Sequence, residues 1–165
     1  MGILIDASGS IYSHYQDYLN VLQKIVQHFP ISTGLNRVGL VSMANGESNV
    51  IGLPDHMTSA SFVKSLKTLP QPEGKSNMAS SLQTAYYKIF TGLTVRADVP
   101  KVLVVMSDGF KNDETDGGKT AVQWADEIES FGIKVCYCYV ILVLLLVCYS
   151  YIFVLFSKIK SSPDW

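Results

Sequence analysis

Apolar residues recur along the chain with two periods, and segments of the two kinds alternate. Gly2 to Ile5 is a short apolar run, Val38 to Met43 a second, and Val102 to Met106 a third that follows Pro100. Runs this short and unbroken, bounded by turn residues, predict strands buried on both faces. Between them the spacing becomes helical. Tyr15, Leu19, Leu22, Ile25, Val26 and Phe29 mark one helix, ended by Pro30. Phe62, Val63 and Leu66 mark a second over Ser59–Leu69, and Met78, Leu82, Ala85 and Ile89 a third. Ala121, Trp124, Ala125, Ile128 and Phe131 mark a fourth, stopped by Gly132, after which Ile133 onward is again strand-like. Asn45-Gly46 is a hairpin signal, so Asn49 to Leu53 predicts a short strand antiparallel to the one before it. Strands alternating with helices predict an α/β fold. Its doubly wound, mostly parallel sheet carries one antiparallel edge strand and helices on both faces.

Composition narrows the function classes. The chain has 165 residues, 48% of them hydrophobic and 16% charged, which suits one domain with a packed core. A formal net charge of -1 argues against a nucleic-acid binder that relies on a basic surface. The three cysteines, Cys136, Cys138 and Cys148, all sit in one apolar stretch, which is neither a disulfide framework nor a metal-binding spacing. Met1 leads straight into a strand, with no basic region or cleavage site of a signal peptide.

Two of the predicted strands end in an acid. The first does so in "LIDASGSI", where Ile5 runs into Asp6 and hydroxyls follow at Ser8 and Ser10; the second ends in Met106-Ser107-Asp108-Gly109. In a doubly wound sheet the ligand crevice lies beyond the carboxyl ends of the parallel strands. If these strands are neighbours, Asp6 and Asp108 meet at one rim. In an extended turn, residues at steps of two point the same way. One carboxylate and two hydroxyls would then converge, an oxygen-only set that suits a hard divalent cation such as magnesium. The spacing also allows a plainer reading, in which Ser8 or Ser10 caps the following helix and Asp108 caps a turn.

"LIDASGSI" resembles the Asp-x-Ser-x-Ser signature of von Willebrand factor type A domains, the metal-ion-dependent adhesion site. The resemblance continues in order. "GLNRVGLVSMANG" is similar to the family's second strand, and "PEGKSNMASSLQTA" to its Gly-rich loop and following helix. "VPKVLVVMSDGFKND" is similar to the strand with the distal acid, and "ADEIESFGIKVCYCYV" to the next helix and strand. Together these cover residues 1–140, with a collagen VI or matrilin flavour. The resemblance implies that Asp6, Ser8, Ser10, Ser76 and Asp108 hold Mg²⁺, with Mn²⁺ or Ca²⁺ as substitutes. Ser76 stands where the family has Thr, and Gly74-Lys75 replaces Gly-Gly. Lys75, Asn77 and Gly109 are then expected at the ligand-binding rim. The implied function is non-enzymatic: the cation engages an acidic residue of a matrix or cell-surface protein such as collagen, in an extracellular or secreted setting. The alternatives are a structural A domain that works without metal, or a metal-dependent enzyme.

The sequence weighs against the enzyme. A Rossmann-like sheet suggests a nucleotide, but neither Gly-x-Gly-x-x-Gly nor a P-loop occurs, and Gly-x-Ser-x-Gly is absent. His14, His28 and His56 have no acid or Cys pattern beside them. A calcium loop starting at Asn112 would place Glu114, Asp116 and Gly117 suitably, but its twelfth residue is Gln123 in place of Glu.

The C-terminal segment departs from the family. A further turn, helix, strand and final helix are expected there and are not legible, so the domain reads as truncated. Val135 to Phe156 is instead an uncharged run of 22 residues followed by Lys158 and Lys160. As a helix at roughly 1.5 Å per residue it would just cross a bilayer core of about 30 Å. Residues 141–165 are therefore expected to be a membrane anchor, a gene-model artefact or an atypical buried element.

Overall fold

The structure, a computed structural model, describes residues 1–139 except 33, 45–46, 54–57, 71–72, 76, 92–94 and 110–114. Five strands form the main sheet in the order β3-β2-β1-β4-β7. They are β1 (Gly2–Asp6), β2 (Gly39–Ala44), β3 (Glu47–Ile51), β4 (Lys101–Ser107) and β7 (Ile133–Tyr139). β1 lies parallel to β2 and to β4, β4 lies parallel to β7, and only β3 is antiparallel. The helices are α1 (Tyr15–His28), α2 (Ser59–Leu66), α3 (Met78–Ala85) and α4 (Ala121–Ser130). A short hairpin, β5 (Thr115–Asp116) and β6 (Lys119–Thr120), stands apart from the sheet.

The unbroken apolar runs have a direct cause. Ile3 and Ile5 of β1 and Val102, Val104 and Met106 of β4 face α1 and α2, whose Tyr18, Leu22, Phe62 and Leu66 complete one core. Leu4, Leu103 and Val105 face the other way, against Met78 and Leu82 of α3 and Trp124 and Ile128 of α4. A central parallel strand covered on both sides has no polar face to alternate with.

Several boundaries differ from the expected ones. α2 ends at Leu66, and its last predicted residues form single turns closed by Thr68 N–H to Ser65 O and Leu69 N–H to Leu66 O. The third predicted helix widens at Tyr86–Phe90 into a π-helical turn. That turn presses Ile89 and Phe90 onto the sheet beside Gly2 and Gly39, which are paired in register. A Cβ at Gly2 would lie 2.6 Å from Phe90 Cζ, and one at Gly39 would lie 3.1 Å from both Ile51 O and Ile89 Cγ2. Neither position has room for a side chain, so glycine is what lets helix and sheet approach here.

The β5–β6 hairpin occupies part of the sequence weighed, and disfavoured, as a calcium loop. Gly117 and Gly118, at φ 57° and 77°, close its turn. Gln123 is part of the cap of α4, its Oε1 accepting from Thr120 N–H at 2.9 Å. The backbone oxygen of Asp116 accepts from Trp124 Nε1–H at 3.0 Å. The rest of that sequence, 112–114, and the expected Asn45-Gly46 turn lie outside the described residues.

The reading of residues 135–156 as one spanning helix needs correction. β7 takes residues up to Tyr139 into parallel pairing with β4, from Lys101↔Ile133 to Ser107↔Tyr139. Backbone groups spent on that ladder are not available to a helix. No helix among the described residues is long and apolar enough to cross a membrane. Residues 141–165, the expected tail, lie outside the described residues.

Gly39→Val should lower stability by about 1–3 kcal/mol, because the added methyls meet backbone and a packed Ile. A Cβ at Gly34 meets nothing within 4 Å, so Gly34→Ala should change stability by no more than about 0.5 kcal/mol. Urea midpoints of the two variants check the contrast.

Candidate metal centre

The parallel neighbours β1 and β4 end side by side, with Ile5 opposite Met106. Asp6 and Asp108 therefore reach the same rim. Asp6 is only 3% exposed. Its Oδ1 accepts from Ser8 N–H at 2.9 Å, and its Oδ2 lies 3.0 Å from the Ser107 hydroxyl. That hydroxyl also lies 2.6 Å from Gly109 O and accepts from Gly109 N–H at 3.1 Å. Having one proton, it serves either Asp6 or the carbonyl at a given moment. Asp108 is exposed beside this turn.

Residues Gly9–His14 form a short 3-10 turn before α1, and Ser8 at its N-terminus makes no side-chain capping bond. His14, which precedes α1, makes none either. Ser8 Oγ instead lies 3.0 Å from Ser10 Oγ. The two hydroxyls are together and unspent on the helix. The turn after β4 is closed by Ser107 and not by the Asp108 carboxylate.

A loop from the other face of the sheet completes the rim. Gly9 N–H donates to Gly74 O at 3.0 Å, and Glu73 N–H donates to Ala7 O at 3.1 Å. These two backbone bonds staple residues 73–74 to the Asp6–Ser10 segment, and leave Lys75 exposed next to it. Ser76 lies outside the described residues. Asn77, expected at the rim, is the N-cap of α3. Its Oδ1 accepts from Ser80 N–H at 3.0 Å, while its backbone oxygen takes the Ser81 N–H and hydroxyl. An Asn before a helix satisfies an orphan N–H, and the word Ser-Asn-Met-Ala carried that signal.

Electrostatically, Asp6 is a buried carboxylate supported by uncharged donors alone. Among the described residues no Lys, Arg or His pairs with it. Burying an unpaired charge is costly, and a bound cation offsets that cost. The donors gathered here are oxygens, and the described residues include no group of three or more His, Cys, Asp and Glu. That set suits a hard divalent ion rather than a thiolate- or imidazole-bound one. Missed at the sequence level was Tyr18 of α1. It is 1% exposed, and its hydroxyl has no hydrogen-bond partner among the described residues. Burial pushes its phenol well above the ordinary tyrosine range, and the Asp6 and Asp108 charges push it further.

No histidine among the described residues serves the rim as a base. His14 faces Asp17 at 3.8 Å and His28 bonds the Lys24 carbonyl, while His56 lies outside the described residues.

A sequence profile of the von Willebrand factor type A domain matches residues 1–140. Among solved structures, proximal thread matrix protein 1 from the mussel byssus is similar with a TM-score of 0.67. Its identity is 21%, and the match covers 82% of this chain and 34% of that one. The form of that protein with a zinc-occupied MIDAS motif gives a TM-score of 0.69 at 22% identity, with the same coverage. The manganese-loaded TRAP protein of Plasmodium vivax gives 0.67 at 16% identity, covering 82% of this chain and 54% of that one. At these identities the likeness is one of fold. The chain spans about a third of the mussel protein's length.

Asn77→Ala should cost about 1 kcal/mol of stability by loss of the cap, while Asn77→Asp retains most of it. Ser107→Ala, which removes a donor from buried Asp6, should cost about 1–3 kcal/mol. Denaturation in chelator reads both.

Proposed function

The chain belongs to the von Willebrand factor type A domain family, and from that premise we propose that its rim is a metal-ion-dependent adhesion site. Asp6, Ser8, Ser10, Ser76 and Asp108 would hold a hard divalent cation, Mg²⁺ with Mn²⁺ or Ca²⁺ as substitutes. The domain would bind a protein partner through an acidic side chain. The observation that carries this reading is Asp6: buried, without a cationic partner among the described residues, and set beside the paired Ser8 and Ser10 hydroxyls.

The chain's residues divide the work by charge and position. Asp6 supplies buried negative charge, held in orientation by Ser8 N–H and, when it donates, the Ser107 hydroxyl. Ser8 and Ser10 offer neutral oxygens, so the ligand set does not accumulate repulsion. Asp108 supplies a second carboxylate from the solvent side. A bound cation would supply an electrophilic position open to a partner's carboxylate. Lys75, exposed at the stapled loop, adds positive charge that draws an acidic surface to the rim. With no histidine serving the rim among the described residues, we read the site as one for adhesion. A matrix or cell-surface partner such as collagen, an extracellular setting and the collagen VI or matrilin subtype follow from the motif resemblance. Residues 1–140 form the binding domain in this reading.

The full chain titrated with Mg²⁺ or Mn²⁺ in a calorimeter should show one-site binding. Asp108→Ala, at an exposed position, and Asp6→Ala should each weaken it by about tenfold or more. Absence of binding heat in the wild type would overturn the proposal and favour a structural A domain that works without metal.

A further inference from the structure

One hydroxyl beside the rim faces more acceptors than it can serve. Ser107 is 5% exposed. Its Oγ accepts from Gly109 N–H at 3.1 Å, and lies 2.6 Å from Gly109 O and 3.0 Å from Asp6 Oδ2. A hydroxyl has one proton to give, so a carbonyl and a buried carboxylate compete for a single donor. The fold creates this contest. Asp6 continues the alternation of Leu4 along β1, and Ser107 that of Leu103 and Val105 along β4, so both side chains lie on the α3 side of the sheet. Gly109, at φ 146°, takes a backbone conformation that side chains disfavour, and turns both its N–H and its O toward the same hydroxyl. Asp108 is the residue enclosed by that turn.

We propose that Ser107 is a positioning residue that couples the two carboxylates of the cation site, its proton going to Asp6 when that charge is bare and to Gly109 O when the charge is taken up. This rests on the adhesion-site reading above and assigns it a residue outside the Asp-x-Ser-x-Ser motif. A bare buried carboxylate draws the stronger, charge-assisted bond. Gly109 O then faces an oxygen lone pair at 2.6 Å, which loosens the turn that carries Asp108. Once the Asp6 charge is taken up, the proton turns to Gly109 O, and Ser107 closes the turn with two bonds to one residue. Asp108 is fixed in that state and not in the other. By linkage, a turn that tightens on cation binding also tightens the cation.

The test uses the full chain as wild type, Ser107→Ala, Ser107→Thr and Ser42→Ala, the last deleting a buried hydroxyl on β2. In calorimetry with Mn²⁺ alone, Ser107→Ala should bind roughly tenfold or more weakly, as outer-shell changes do. Ser107→Thr, which keeps the hydroxyl, and Ser42→Ala should bind like wild type. Amide exchange followed by NMR reads the turn directly. Gly109 N–H of the wild type should exchange severalfold more slowly in saturating Mg²⁺ than in chelator, and in Ser107→Ala equally fast in both. Unchanged Mn²⁺ affinity in Ser107→Ala overturns the proposal and leaves the adhesion site standing. So does a Mg²⁺-dependent slowing that persists without the hydroxyl, or the lack of any slowing in wild type. Equal weakening in Ser107→Thr or Ser42→Ala also overturns it, as an effect of packing. Failure of the wild type to bind Mn²⁺ overturns the underlying reading itself. Should Ser107→Ala melt far below wild type in chelator, Ser107→Cys, whose thiol is a weak donor, gives the same comparison.

Discussion

The parallel pairing of β1 with β4 is the constraint on which the rest of the molecule depends. Ile5 lies opposite Met106, so the next residues along each strand leave the sheet together. That single register brings Asp6 to the Ser107 hydroxyl, across a separation of 101 residues in sequence. A slip of one residue would turn every β1 side chain to the opposite face. Ile3 and Ile5 would leave the α1 side for the α3 side, and Asp6 would no longer meet Ser107. The two apolar cores hold the register, because each strand is clamped from above and below.

A buried acid at such a place is a liability unless something offsets its charge. Uncharged donors lower the cost without removing the charge, and they leave oxygens beside it, a donor set of the kind a hard cation takes. The same logic shapes the surroundings. Helix caps that could have consumed Ser8 and Ser10 are absent from the segment that follows them. The loop at 73–74 is tied to the Asp6–Ser10 segment by two main-chain bonds.

Strand and helix order, the antiparallel edge strand and the burial of the central strands were legible in the hydrophobic pattern, because unbroken apolar runs and helical spacing answer to different geometries. Boundaries were less so. The π-helical turn at Tyr86–Phe90 packs against Gly2 and Gly39, which are remote in sequence and come together only once β1 and β2 pair. The β5–β6 hairpin was passed over because its strands are two residues each, too short for any alternation to show. The role of Asn77 as N-cap of α3 was legible only in the local word Ser-Asn-Met-Ala, since a helix start needs its orphan N–H groups satisfied whether or not a ligand is present.

The amino-acid sequence alone determined which residues could serve a cation: Asp6, Ser8 and Ser10 are close along the chain, and their spacing is a local property. It also determined the fold class, through the period of its apolar residues. What it left open was whether Ser8 and Ser10 were caps, whether Asp108 shared a rim with Asp6, and whether Val135 to Tyr139 were strand or helix. Tertiary structure decided these, because each is a matter of long-range competition for hydrogen bonds. β7 chose the ladder offered by β4, and Asp6 and Asp108 met because their strands pair.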